Sequence, residues 1–165
     1  MTQHLFRFGL ILFCFPLVLF SKVNDRQGLF FGFNFGGAYV KEGGLGQGQR
    51  VVHLRLGSGI SENILLMGEF KHNDNEDFDV NTDTWNFSSQ IFVAQTNFFV
   101  RPGIGLAYQN FAGQKTMGLS ALGNFGYEHK FGLFAVGFEA NPQYVRINDE
   151  NLFYLGGSIS GTFYF

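Results

Sequence analysis

Six charged side chains, Arg55, Glu69, Lys71, Arg101, Glu128 and Glu139, stand in stretches where apolar and small residues alternate. A charge enclosed in such a stretch without a partner costs several kcal/mol, so ion-pair chemistry is the first to consider. Arg55 and Glu69 are equidistant from Glu62, and a hairpin turning there makes them cross-strand neighbours. Arg101 and Glu128 are about equally far from the polar stretch near residues 114 and 115, which predicts that they too lie close. Lys71 and Glu139 share the same facing. Read structurally, the set is a self-neutralising plug; read functionally, it is a gate or a narrow ion path. The acidic run Asp74-Asn75-Glu76-Asp77-Phe78-Asp79 superficially resembles a calcium ligand set. It lacks the turn glycine and the spaced terminal Glu of an EF-hand loop, so a solvated acidic segment is expected. Gly43-Gly44-Leu45 and Gly103-Ile104-Gly105 are not phosphate loops, since neither leads into a helix or carries the Walker lysine. No catalytic, cofactor or metal residues are expected.

The elements that must position these charges are strands. From Phe153 to Phe165, Phe153, Leu155, Gly157, Ile159, Gly161, Phe163 and Phe165 share one face, and small or hydroxylated residues share the other. The same period-two pattern predicts strands at Gly28–Lys41, Arg50–Ile60, Ile64–His72, Thr84–Ala94, Phe98–Gln109, Met117–Glu128, Phe131–Arg146 and Leu152–Phe165. Short turns are expected at Ser61-Glu62-Asn63, Gln95-Thr96-Asn97 and His129-Lys130, with longer polar loops near residues 45, 78, 113 and 149. His53 falls on the inner face, His72 at a strand end, and Pro102 marks a weak spot or bulge.

Composition fits a membrane barrel. The chain has 165 residues, which suggests one domain, and its net charge of −2 leaves no basic surface for nucleic acid. Aromatics make up 18%, with 23 Gly against 3 Pro, a balance unlike disordered or collagenous chains. Residues 1–21 read as a cleaved secretory signal, weakly basic to Arg7 and then apolar from Phe8 to Phe20. That run is too short for a spanning helix. Cutting is expected after Ser21, and Cys14, preceded by Leu12-Phe13, is not a lipidation site. The rest of the chain holds no cysteine, which suits an oxidising compartment. Residues 22–27 form a short N-terminal segment and residues 28–165 the barrel, closed because open sheet edges in lipid would leave backbone groups unpaired.

The tail Phe163, Tyr164, Phe165 resembles the C-terminal assembly signal of bacterial outer-membrane β-barrels. Residues 28–165 as a whole resemble the eight-stranded outer-membrane barrels, the OmpA transmembrane domain and OmpX among them. The resemblance rests on the Phe165 ending, the strand pattern and the alternation of turns. It implies an all-β, closed up-and-down antiparallel transmembrane barrel in the bacterial outer membrane, with both termini periplasmic. It also implies insertion by the barrel assembly machinery after escort by periplasmic chaperones, contact with outer-membrane lipids and lipopolysaccharide, and a monomeric state. The role expected is structural, in envelope integrity, or interactive at the surface; a narrow channel or carrier for small or hydrophobic solutes is the alternative. A lipid A-modifying enzyme comes third. The deacylases of that kind carry a late His-x-Ser element, which His129-Lys130-Phe131 does not match, and His53 has no Ser two residues on. A soluble periplasmic lipid-binding barrel would invert the faces, and is disfavoured because so many Phe sit opposite Gly and Ser.

Overall fold

The computed structural model describes residues 26–42, 45–75, 80–93, 96–111, 114–148 and 150–165. The expected signal at 1–21 and residues 76–79 of the acidic run lie outside the described residues. The period-two segments form β1 (Gly28–Glu42), β2 (Leu45–Ser61), β3 (Ile64–Asn75), β4 (Val80–Phe92), β5 (Phe98–Phe111), β6 (Gln114–Phe131), β7 (Phe134–Ala140), β8 (Gln143–Ile147) and β9 (Glu150–Tyr164). Neighbours pair antiparallel, and β9 pairs with β1 from Phe30↔Tyr164 to Lys41↔Phe153, which closes the sheet into a barrel. Among the described residues no strand edge is left open.

β7 and β8 are two pieces of one span. On β6, Ala140↔Phe125 and Gln143↔Leu122 keep a single register, and both pieces pair with β9 in a single register too. The break falls at Asn141-Pro142, where Pro142 accepts a 3.0 Å bond from the Gly123 N–H but has none to return. Counted as spans, the ring has eight members. The shortest uninterrupted strand, β3, has 12 residues, more than the roughly 9–11 that a tilted strand needs to cross a bilayer.

Two expectations need correcting. The polar connections near residues 45, 78 and 113 are mostly ladder, with Asn73↔Thr82, Asn110↔Lys115 and Val40↔Gln47 all paired. Alternation reveals a strand only where one face is apolar, so a strand running into water loses its signal without losing its hydrogen bonds. The turn expected at His129-Lys130 lies instead at Gly132-Leu133. Gly132 has a φ of +62°, the left-handed conformation that glycine takes without steric cost. Lys130 stays in β6, facing inward, with its ammonium 4.7 Å from the Tyr164 ring centroid. Pro102, by contrast, sits inside β5 as expected of a weak spot: the β4–β5 ladder jumps from Ser88↔Gly103 to Ile91↔Val100 and leaves the pairs between unmade.

The faces are reversed relative to a water-soluble domain. Ile104 and Ile159 are 72% and 73% exposed, and Leu56, Phe87, Leu119 and Phe138 also point outward, while Arg55 and Arg101 are among the most buried side chains. At the seam, the Phe165 N–H donates to the Leu29 carbonyl at 2.8 Å. Gly28, with φ +98°, makes room there, since a Cβ would stand 2.5 Å from the Phe165 carbonyl oxygen.

Candidate functional site

The lumen is layered. Near the rim where β1 begins and β9 ends (the chain ends, as described from residue 26), inward-facing Phe30, Leu65, Met67, Phe92, Phe99, Ala135 and Tyr164 pack as one apolar layer. Near the opposite rim, Val40, Ala107, Val145, Ile147, Leu152 and Tyr154 form a second. Between them the inward positions are polar, and the strand period brings them together from all sides of a ring only wide enough for its own side chains.

Arg101 on β5 is the hub of this middle layer. Its guanidinium reaches across the lumen to Glu139 on β7, with Nη2 donating to Oε1 at 2.7 Å and to Oε2 at 2.6 Å. Its Nε lies 3.1 Å from Glu69 Oε1 on β3, and its Nη1 donates to Gln90 Oε1 at 2.8 Å. His53 on β2 stands between the two carboxylates, 2.6 Å from Glu69 and 3.7 Å from Glu139. Ser88 donates to Glu69, and the Asn34 amide on β1 donates to Glu139. Charge-assisted bonds of this kind are the strong ones, and here they tie opposite walls of the barrel to each other.

The remaining charges take other partners. Arg55 faces Glu69 in register across β2 and β3, while its guanidinium donates to Gln90 at 3.3 Å and to Thr162 at 3.0 Å. Lys71 donates to Gln143 Oε1 at 2.8 Å. Arg101 and Glu128, expected to lie close, are not cross-strand partners. The β5–β6 hairpin turns between Phe111 and Gln114, which sets Arg101 opposite Asn124 and moves Glu128 toward the rim of the chain ends. There Glu128 accepts from Tyr164 Oη at 2.6 Å and from Thr162 at 3.1 Å, with Arg26 Nε 3.6 Å away. Arg26 lies over the Phe92 ring at 3.9 Å and donates to Asn97, so the segment before β1 crosses the barrel mouth.

Of the C-terminal residues, Tyr164 faces the lumen, whereas Phe163 and Phe165 face outward. Sequence reading missed His53 and Gln90 as partners of the charges. Inward parity was their only signal, and parity does not say which polar neighbour a long guanidinium will choose.

Gly32 shows how closely the layer is fitted. A Cβ there would stand 2.8 Å from Arg55 Nε, whereas one at Gly48 would meet nothing within 4 Å. Gly32→Leu should lower stability by about 1–3 kcal/mol, the range for overpacking. Gly48→Leu should be nearly silent. Urea unfolding of the two variants in lipid vesicles checks the contrast; equal stabilities would mean that Arg55 has room to move.

Outside the barrel, on the wall of β3 to β6 near the rim opposite the chain ends, lies a hollow of about 440 Å³. Trp85 and Tyr108 line it together with His72, Asp83, Asn110 and Lys115. His72 Nδ1 is 2.6 Å from Asp83 Oδ1, both side chains being part-exposed. His72 and Asp83 face each other across β3 and β4, and Tyr108 is the next partner of Asp83 on β5, so the ladder itself builds the wall.

No protein-family model and no curated protein matches the chain. Among solved structures it is similar to Neisserial surface protein A (NspA), with a TM-score of 0.59 at 15% identity over 84% of this chain and 97% of that one. It is also similar to the N-terminal β-barrel domain of Pseudomonas aeruginosa OprF, with a TM-score of 0.58 at 12% identity over 83% of this chain and 98% of that one. A third is Ail, the attachment invasion locus protein of Yersinia pestis, solved with the heparin analogue sucrose octasulfate, with a TM-score of 0.56 at 13% identity over 82% and 99% of the two chains. At such identities the likeness carries the architecture alone, and with the closed ring of eight spans it gives this chain the same fold as these small outer-membrane barrels.

Proposed function

We propose that the protein is an integral outer-membrane barrel, closed to bulk solute, whose work is structural or is done at its outer surface. One observation carries this reading: the Arg101-centred network spans the lumen between two apolar layers. An ion crossing would have to shed water at each apolar layer, whose aliphatic and aromatic side chains are poor substitutes for it, and break charge-assisted bonds between them. Both chain ends lie at one rim, which on this reading faces the periplasm, reached by way of the signal at 1–21. Lipid contacts would be made by the outward aromatics, and surface contacts by the polar ends of the hairpins.

The test is conductance in planar bilayers, with insertion verified by the gel migration of unboiled against boiled protein. Baseline current from inserted, heat-shifting protein is expected. Discrete, sustained unitary conductance would overturn the closed reading in favour of a narrow channel. Lipid A analysed by mass spectrometry from cells with and without the protein should be identical; a changed acyl pattern would assign an enzyme.

A further inference from the structure

The outer hollow on β3 to β6 is built from a different chemistry than the wall around it. Trp85 and Tyr108 have the same outward facing as Phe87, Ile104, Leu106 and Leu119, which are exposed and apolar. Beyond them, toward the rim away from the chain ends, the outward residues become His72, Asp83, Asn110 and Lys115. The hollow therefore straddles the line where the apolar band ends and the polar ladder begins. Its volume of about 440 Å³ falls within the roughly 300–1,000 Å³ usual for small-ligand sites.

Two aromatic rings beside a fixed carboxylate, an amide and a cation select a particular kind of ligand. The rings offer flat apolar surface with a polar handle on Tyr108, which suits the C–H face of a sugar. Asp83, steadied by His72 at 2.6 Å, can accept hydroxyl hydrogens, and Asn110 can donate or accept. Lys115 supplies positive charge for an anionic substituent. A hydrocarbon tail would leave these polar groups without partners, and a metal would find only His72 and Asp83.

We infer that this hollow binds the phosphorylated sugar headgroup of a glycolipid standing in the same leaflet. The level of the hollow favours a lipid-borne sugar over a soluble one: at the edge of the apolar band a glycolipid presents its headgroup with no further insertion. The inference rests on the proposed outer-membrane location with this rim outward, and it assigns a ligand to a surface that the location alone leaves blank.

Trp85 is the single tryptophan of the chain, so its fluorescence reports on the hollow directly. The full barrel in phosphatidylcholine nanodiscs, with and without added lipopolysaccharide, is probed by acrylamide quenching. Protection of Trp85 by lipopolysaccharide is expected, and its loss in Lys115→Glu and in the shape-conserving Asp83→Asn, with the gel shift on boiling retained in both. Unchanged quenching in folded, lipopolysaccharide-containing discs would overturn the inference, as would protection that survives both variants. Equal protection by glucosamine 1-phosphate in plain discs would overturn the lipid-borne source. Labelling of Lys115 on intact cells tests the location separately: its failure would sink the outer-membrane reading while the disc result still judges the hollow.

Discussion

Arg101→Met should destabilise the folded barrel by roughly 3–5 kcal/mol, the cost of removing one partner from a buried charge network. Arg101 donates to both oxygens of Glu139, lies 3.1 Å from Glu69 and donates to Gln90. Without it two carboxylates share an enclosed space with the His53 ring as their nearest basic group. The triple variant Arg101→Met, Glu69→Gln, Glu139→Gln should recover part of the loss, because it also neutralises the two carboxylates that the single variant leaves short of a partner, while Arg55 and Lys71 stay charged. Urea unfolding in lipid vesicles, followed by tryptophan fluorescence and gel migration, measures both. A single variant as stable as the parent would mean that water reaches the middle layer, and the closed lumen would have to be given up.

Deletion of Phe165, or Phe165→Asp, should nearly abolish the assembled protein in the outer membrane while leaving export intact. The effect should far exceed the residue's contribution to the fold. Phe165 is 66% exposed, and its N–H donates across the seam to the Leu29 carbonyl. A charge on the lipid face near an interface costs about 0–1 kcal/mol, too little to empty a membrane of protein. A large loss in cells, together with near-parental folding into vesicles, would therefore place the defect in recognition during assembly. Normal outer-membrane levels of either variant would defeat the proposed role of the Phe163-Tyr164-Phe165 ending.

The barrel itself was legible because each span keeps an apolar face toward lipid, and that is the condition under which period two can be read. Gly28–Lys41 and Leu152–Phe165 were drawn almost to their true ends for this reason. Legibility failed where the reason failed. Beyond the apolar band, at residues 73–74, 81–83, 110 and 114–116, both faces are polar, so paired strand resembles loop in the sequence. The site was half readable. Parity turned Arg55, Glu69, Lys71, Arg101, Glu128 and Glu139 inward correctly, and the hairpin centred on Glu62 set Arg55 opposite Glu69. The Arg101 partner was missed because a small shift in the β5–β6 turn changes which residue stands opposite. Contacts made across the lumen, such as Arg101 to Glu139, depend on closure and on side-chain reach, and neither is written in local spacing. The outer hollow left no local signature at all, being assembled from neighbouring strands whose register must first be known.

Pro102 and Pro142 give the barrel wall a grain. They lie on either side of the same residue of β6: Pro102 pairs with Gly123, and Gly123 donates to Pro142. Each proline withholds a ladder donor, one from β4 and one from β6, and Gly123 adds no side chain to fasten the gap. The seam where the chain's two ends meet has no such fault, since its register runs unbroken from Phe30 to Lys41. Under lateral pressure, or in a bilayer of the wrong thickness, the wall should yield across β4 to β7, opposite to where the connectivity of the chain would suggest. Mechanically, the join is sound and the fabric beside Gly123 is the part that gives.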